Sequence, residues 1–145
     1  MKCNQRGIDL IKVSEGLETR AYRDVGGIWT IGYGHTTNVK QGMEWTREEA
    51  DTALASDLAV VEHQLTTFCD VHILDWEFSA LCDFVFNLGF TKFTSSTLAK
   101  LIQKKDYNQA AFEFAKWIHV NGHENSGLRT RREREKQLFL TGDWK

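Results

Sequence analysis

The sequence predicts an α+β fold, in which a small β-hairpin lobe is joined by a long helix to a larger all-helical lobe. Residues 17–36 are rich in β-branched and aromatic residues around a turn, as strands are. Residues 46–67 carry apolar residues at helical spacing, and helical patterns continue from residue 68 to the end. We therefore predict one domain over residues 1–145, with its β lobe at about 16–45 and a cleft between the lobes.

The first helix is predicted at residues 4–14 as part of the helical lobe, with Leu10 among its inward-facing residues. Gly16 follows it, and glycine is the usual residue just past a helix end. The turn Asp24–Gly27 then separates two strands, and a third short strand is predicted near Thr37–Gln41.

The linking helix begins at a capping box, in which Thr46 and Glu49 each satisfy a free backbone N–H of the other. Its length of about twenty residues corresponds to roughly 30 Å. One apolar stripe follows it along the helix, formed by Ala50, Leu54, Leu58, Val61 and Leu65.

The remaining helices are defined by their apolar stripes and their terminal residues. Phe78, Leu81, Val85 and Leu88 form one stripe, which ends at Gly89. We predict three further features: a helix capped by Ser95 or Ser96, a helix beginning at Asp106, and, after a loop at 122–127, a final helix at Leu128–Leu140 that stops near Gly142.

Composition excludes several classes of function. The net charge of −2 does not suit a general nucleic-acid or membrane binder, and no apolar stretch approaches the ~18 residues of a membrane span. Arginine-rich residues 129–136 also carry glutamates, which favours a solvated helix face, although a local attraction for an anionic polymer is an alternative.

We predict reduced cysteines, because their number is odd and their spacing is irregular. We also predict a monomer without a cofactor. No metal site is expected, since the His119/His123 and Cys69/His72 spacings lack a second pair.

Two carboxylates and a hydroxyl flank the hairpin. Glu15 ends the first helix, Asp24 occupies the turn, and Thr30 lies on the returning strand. A helix end and a hairpin can place three such side chains around one cleft, and glycoside hydrolysis needs a carboxylic acid and a second group on the other face of the sugar. By spacing alone, ordinary surface residues are the alternative.

The order of residue types in this segment is more specific than the spacing of the three residues. The order E-G, A-Y-x-D and G-x-x-T-I-G-Y-G-H-T across residues 15–36 resembles the signature of phage-type lysozymes, glycoside hydrolase family 24. Two later stretches, residues 80–98 and 127–133, are also similar to that family. The resemblance covers nearly the whole chain, is closest to the lambdoid-phage branch, and implies a lysozyme-like fold. Ser14 departs from the aromatic residue that the family usually has before its acid.

This resemblance implies a muramidase that hydrolyses the β-1,4 bond between N-acetylmuramic acid and N-acetylglucosamine of bacterial peptidoglycan, with inversion. Glu15 would donate the proton, while Asp24 and Thr30 would hold the attacking water. Arg131 would be the cationic partner of the acid. The predicted substrate contacts are Tyr33, His35, Phe86, Asn87 and Ser96, of which His35 also suits a hydrogen bond that braces the hairpin.

Two alternatives and a cellular setting accompany this interpretation. The chain could be a non-catalytic peptidoglycan-binding module, or a lytic transglycosylase that releases an anhydro-sugar. The start of the chain has no apolar run, so we expect no signal peptide. By family analogy, the protein would be stored in the host bacterial cytoplasm and released to the wall through a holin-type partner, although a toxin delivered by a secretion machine would look similar.

Overall fold

The computed structural model describes residues 1–145 and confirms the α+β class. Seven α-helices, one 3-10 helix and two small hairpins make up the chain. In chain order they are α1 Gln5–Glu15, β1 Glu18–Arg23, β2 Trp29–Gly32, α2 Arg47–Phe68, α3 Asp75–Leu88, α4 Phe90–Thr94, α5 Thr97–Gln103, α6 Tyr107–Ala110, the 3-10 helix Ala111–Lys116, β3 His119–Val120, β4 His123–Glu124 and α7 Ser126–Thr141.

The chain divides into two compact units. One unit, here called the β unit, is Ile11–Val60, and the other, the helical unit, combines Met1–Leu10 with Val61–Lys145. Helices α1 and α2 each contribute residues to both units. No helix is long and apolar enough to cross a membrane.

The predicted hairpin forms the sheet of the β unit. Strands β1 and β2 are antiparallel, with Tyr22 opposite Thr30. The turn between them is closed by backbone bonds from the Asp24 N–H to the Ile28 carbonyl and from the Gly27 N–H to the Asp24 carbonyl, each 2.9 Å long. Gly27 takes a φ of 80°, which glycine adopts without steric cost.

The third strand near Thr37–Gln41 was predicted wrongly. This stretch turns instead, because Asn38 adopts a left-handed φ of 57°. The extended pairing with β1 comes a few residues later. The Ala21 N–H donates to the Met43 carbonyl at 2.9 Å, and the Trp45 N–H donates to the Thr19 carbonyl at 2.8 Å.

Helix α2 forms as its sequence predicts. The Thr46 N–H donates to Glu49 Oε1 at 3.0 Å, and the Glu49 N–H donates to Thr46 Oγ1 at 3.1 Å, which confirms the capping box. The helix is 22 residues long. Its apolar stripe is buried throughout, at Ala50, Leu54, Leu58, Val61 and Leu65.

Helices α3 and α7 frame the core of the helical unit. The Phe84 ring of α3 packs edge-on against Phe93, Phe114 and Trp117, with centroid distances of 5.7 to 6.2 Å. Helix α7 stops where predicted, because Gly142 takes the left-handed φ of 84° at its C-terminus. The three cysteines are buried and free.

The predicted loop at 122–127 needs two corrections. Strands β3 and β4 form a short hairpin, turned by Asn121 at φ 51° and Gly122 at φ 80°, the combination that a tight hairpin requires. Helix α7 begins at Ser126 rather than Leu128, because the Asn125 side chain accepts the Leu128 N–H at 2.9 Å and caps it. The helix predicted to begin at Asp106 is capped by that residue but soon becomes a 3-10 helix.

Candidate active site

Glu15 is the last residue of α1. The helix ends there because Gly16 takes a positive φ of 75° and its N–H still bonds the Lys12 carbonyl at 2.9 Å. The Glu15 carboxylate lies against the backbone of Gly34, where a Cβ would be only 2.8 Å from Oε1. A glycine at residue 34 therefore makes room for the carboxylate of Glu15.

Asp24 shapes the turn of the hairpin. Its Oδ1 accepts the N–H groups of Gly26 and Ile28, both at 2.9 Å. These two bonds fix the carboxylate on the turn, as aspartate commonly does. Neither bond uses Oδ2, so one oxygen of the half-buried carboxylate remains able to accept a further proton donor.

Thr30 lies on β2 with only 4% of its surface exposed. Its hydroxyl donates to the Ile28 carbonyl at 3.0 Å. The hydroxyl proton is therefore already engaged, and the oxygen offers its lone pairs to any further partner.

Tyr22 lies on β1, in the strand opposite Thr30. It pairs directly with Thr30 across the hairpin. The pKa of its phenol is raised, first by burial and then by the negative charges of Glu18, Glu15 and Asp24. The sequence interpretation quoted this tyrosine in a motif but gave it no role.

Tyr33 and His35 follow β2. Tyr33 is 5% exposed, and the Lys12 ammonium lies 5.5 Å from its ring centroid. The His35 ring places Nδ1 at 2.7 Å from Asp57 Oδ2 and Nε2 at 2.9 Å from the Thr37 carbonyl. This geometry supports the bracing role of His35. For both residues, substrate contact stays a prediction.

A cavity of about 520 Å³ lies within the β unit, between His35, Trp45 and the first half of α2. The two rings are 5.3 Å apart between centroids. The lining of this cavity does not include Glu15, Asp24 or Thr30. It is therefore separate from the candidate catalytic set.

The candidate contacts of the helical unit lie on α3 and at the start of α5. Phe86 and Asn87 are both half-buried in the last turn of α3, and Asn87 Oδ1 accepts a hydrogen bond from Arg132 Nη2 at 2.7 Å. Ser96 is 4% exposed and caps α5 by accepting the Ala99 N–H at 3.0 Å. Its hydroxyl also donates to the Phe93 carbonyl. Glycan contact by all three residues stays a prediction.

Arg131 forms a two-point hydrogen bond with Asp83 of α3. The distances are 3.0 Å from Nε to Oδ2 and 2.8 Å from Nη2 to Oδ1. Both side chains are buried, with 7% and 0% of their surfaces exposed. The sequence interpretation missed Asp83, although a lone carboxylate between Cys82 and Phe84 in an apolar run signals a buried ionic partner.

The expectation that residues 129–136 form a solvated helix face is wrong for part of this run. Arg132 and Glu135 are fully buried and form an ion pair, with Nε 2.8 Å from Oε1. The Arg132 guanidinium also lies 5.2 Å from the Phe84 ring centroid. Burial raises the pKa of the Glu135 carboxyl well above its ordinary value, and the nearby Asp83 charge adds to this rise.

The α+β fold, with an acid at a helix end and a second carboxylate at a hairpin turn, defines a lysozyme-type glycoside hydrolase. The phage lysozyme family model matches residues 12–135, so the chain belongs to that family. It is a phage-type muramidase that lyses peptidoglycan.

Relatives of known identity agree with this assignment. The chain is 43% identical to the endolysin of Acyrthosiphon pisum secondary endosymbiont phage 1, over 96% of this chain and 98% of the relative. Among solved structures, the muramidase domain of SpmX from Asticaccaulis excentricus has a TM-score of 0.91 at 33% identity and covers 97% of this chain and 98% of its own. The endolysin from Escherichia coli O157:H7 phage FAHEc1 has a TM-score of 0.90 at 33% identity. The match covers 98% of this chain and 95% of that endolysin.

Proposed function

We propose that this muramidase hydrolyses the β-1,4 bond between N-acetylmuramic acid and N-acetylglucosamine with inversion at the anomeric carbon. Glu15 protonates the glycosidic oxygen as that bond breaks. Asp24 accepts a proton from the attacking water, and Thr30 holds the same water. An inverting mechanism needs a proton donor and a separate base. Glu15 and Asp24, which would fill these two roles, both belong to the β unit.

The hydrogen bonding of the Asp24 carboxylate is the observation on which this proposal mainly depends. Its Oδ1 is fixed by two backbone N–H groups of the turn, while its Oδ2 is left to accept from water. A base held in this way does not need to reorganise when the water approaches.

Thr30 supplies the second contact that the water needs. Because its own proton is donated to the Ile28 carbonyl, Thr30 Oγ1 meets the water as an acceptor. A water that donates one proton to Asp24 and the other to Thr30 keeps its lone pairs directed at the anomeric carbon. Inverting enzymes leave ~6.5–9.5 Å between their carboxyl groups to admit that water.

Two measurements test the proposal. Clearing of a suspension of permeabilised bacteria should be abolished by Glu15→Gln, which keeps the shape of the side chain but removes the acid. Proton NMR during hydrolysis should detect the α anomer of the new reducing end first, because inversion converts a β bond into an α product. A β anomer appearing first would contradict the inverting mechanism.

The alternatives predict other outcomes. A non-catalytic wall-binding module would bind peptidoglycan without clearing the suspension. The presence of all three candidate catalytic residues, Glu15, Asp24 and Thr30, argues against such a module. A lytic transglycosylase would release anhydro-sugar ends and would not need a water held by Asp24 and Thr30.

For the cellular setting, we infer storage in the host bacterial cytoplasm and release to the wall through a holin-type partner. The phage origin of the endolysin relatives supports this inference. Fractionation of producing cells before and after expression of a holin tests it. Activity in the periplasm without any holin would contradict it.

A further inference from the structure

The cavity of the β unit has the size of a small-ligand site. Its volume of about 520 Å³ lies within the range of roughly 300–1,000 Å³ that such sites have. It is lined by His35, Trp45 and the first half of α2, which all belong to the β unit. The candidate catalytic residues do not line it, so a ligand bound here would be held apart from the reacting atoms.

Two aromatic rings form one wall of this cavity. The Trp45 ring packs against Gly32, where a Cβ would lie only 3.0 Å from Cζ3. The His35 ring lies 5.3 Å from it between centroids, and both of its nitrogens are held, by Asp57 Oδ2 and by the Thr37 carbonyl. Because the protein fixes both rings, the wall does not need to reorganise when a ligand binds.

The polar groups on the other side of the cavity are mainly acceptors. Glu48 and Glu49 are exposed and contribute two carboxylates. The capping bond uses only Oε1 of Glu49, which leaves its Oε2 for another donor. Thr52 gives its hydroxyl proton to the Glu48 carbonyl at 3.0 Å, so its oxygen meets a ligand as an acceptor. No lysine or arginine lines the cavity.

A primary ammonium on an alkyl stem complements this lining. An ammonium group has only donors and a positive charge, which match the acceptors and the two carboxylates. The faces of aromatic rings also attract cations. The alkyl stem can pack against Trp45 and the Ala53 methyl group, as the stems of lysine side chains do on apolar surfaces. Two carboxylates in the lining would repel an anionic ligand.

The wall that a muramidase lyses carries such a group. Its peptides contain a diamino acid, whose second amine is a free ammonium wherever no cross-link has formed. The cavity also lies beside the candidate acid, because Gly34 borders the Glu15 carboxylate and the next residue, His35, lines the cavity. The Cα atoms of consecutive residues are only ~3.8 Å apart.

We propose that this cavity binds the free ammonium of the diamino acid in wall peptides that are not cross-linked. The enzyme is thereby retained on wall segments with few cross-links. The inference rests on the proposed function only in taking Glu15 as the place where the glycan is cut.

Binding is measured in Glu15→Gln protein, so that no turnover interferes. The small probes are Nα-acetyl-lysine amide and the same compound with its ε-amine acetylated, each titrated by NMR at low salt. The polymer probes are peptidoglycan with free amines and the same peptidoglycan after acetylation of its amines, each tested by cosedimentation. The two pairs share their stems and differ in the charge of the amine.

The informative variant is the double substitution Glu48→Gln and Glu49→Gln. Glutamine at residue 49 still completes the capping box, so the helix start is kept while both charges are removed. Glu44→Gln is the matched control, because Glu44 pairs with Arg20 on the surface of the β unit and does not line the cavity. Ala53→Leu is a second test, since it fills the cavity without changing a charge.

We expect the Glu15→Gln protein to bind the ammonium probe about tenfold more tightly than its acetylated form, and to bind wall with free amines more tightly than acetylated wall. The double substitution should abolish both preferences, and Ala53→Leu should weaken binding of the ammonium probe about tenfold. Glu44→Gln should leave both preferences unchanged. High salt should weaken the ammonium complex, because its charges are exposed.

Equal binding of the two small probes, or a preference that survives the double substitution, would overturn the inference. A preference among the small probes without any difference between the two walls would make a soluble amine the ligand and would also overturn it. Failure of the proposed function has a separate signature, because Glu15→Gln protein would then still cleave peptidoglycan while the small probes report on the cavity.

Discussion

A Cβ at residue 34 would lie only 2.8 Å from Glu15 Oε1, so any side chain in place of Gly34 would collide with the Glu15 carboxylate. Gly34 also adopts a φ of 76°, which residues with a Cβ rarely take. The space available to the Glu15 carboxylate therefore depends on Gly34. A substitution of Gly34 tests whether the position of Glu15 matters for activity.

Gly34→Ala should reduce wall hydrolysis by about 10²-fold, because it displaces a catalytic group from its reacting position. The left-handed backbone forced on alanine should lower the free energy of unfolding by roughly 1–2 kcal/mol. Rates of turbidity loss and thermal melting measure the two effects.

Gly42→Ala is the matched control for this substitution. Gly42 has a similar φ of 89°, but nothing lies within 4 Å of the position of its Cβ. It should therefore show the loss of stability with little loss of activity. Equal activity in the two variants would mean that the contact with Glu15 does not position the acid.

Asp24→Asn should separate catalysis from folding. Asparagine keeps an oxygen that accepts the Gly26 and Ile28 N–H groups but removes the charge that accepts a proton from water. We expect activity to fall by about 10² to 10⁴-fold, as loss of a general base does, with a melting temperature close to that of the wild type. A variant with full activity would exclude Asp24 as the base.

Arg131→Ala should destabilise the protein strongly. Its removal leaves the fully buried Asp83 carboxylate without its two-point partner, at a cost of about 3–5 kcal/mol. Arg129→Ala is the control, because Arg129 pairs with Glu124 on the surface and should cost less than about 1 kcal/mol. Urea unfolding measures both. Similar losses in the two variants would contradict this account of the buried pair.

Asp70 should make the stability of the folded protein depend on pH in the acidic range. Hydrogen bonds from the backbone and side chain of His72 lower the pKa of this carboxyl from 3.8 to about 2, and Lys105 contributes further. Because the folded pKa is lowered, the stabilisation is complete above about pH 4 and is lost as the pH falls through 2. The melting temperatures of wild type and Asp70→Asn should differ at pH 6 and converge near pH 2. A constant difference across this range would contradict the assignment.

Local patterns predicted the elements that depend on neighbouring residues. The capping box at Thr46 and the turn at Asp24 formed as expected, because each uses contacts within four residues of the chain. The displaced third pairing of β1 was not predictable in this way. The position of Met43 opposite Ala21 depends on how the intervening turns close, which local propensity does not specify.

The buried charges show a second limit of sequence interpretation. Arg131 and Asp83 are 48 residues apart in sequence, so no local spacing indicates their contact. The arginine-rich run was therefore assigned to a solvated face, although Arg132 and Glu135 are buried. Glu15, Asp24 and Thr30 are predicted from a long motif, and the pairing of Tyr22 with Thr30 became visible only in the strand register.

The most direct test of the account is a muropeptide analysis by mass spectrometry of peptidoglycan digested by wild type and by Glu15→Gln, with both proteins shown to melt at similar temperatures. We predict that the wild type releases fragments with ordinary reducing ends and that Glu15→Gln releases at least 10²-fold less. Anhydro ends from the wild type, or wild-type amounts of fragments from Glu15→Gln, would contradict proton donation by Glu15 to a bond that water then cleaves.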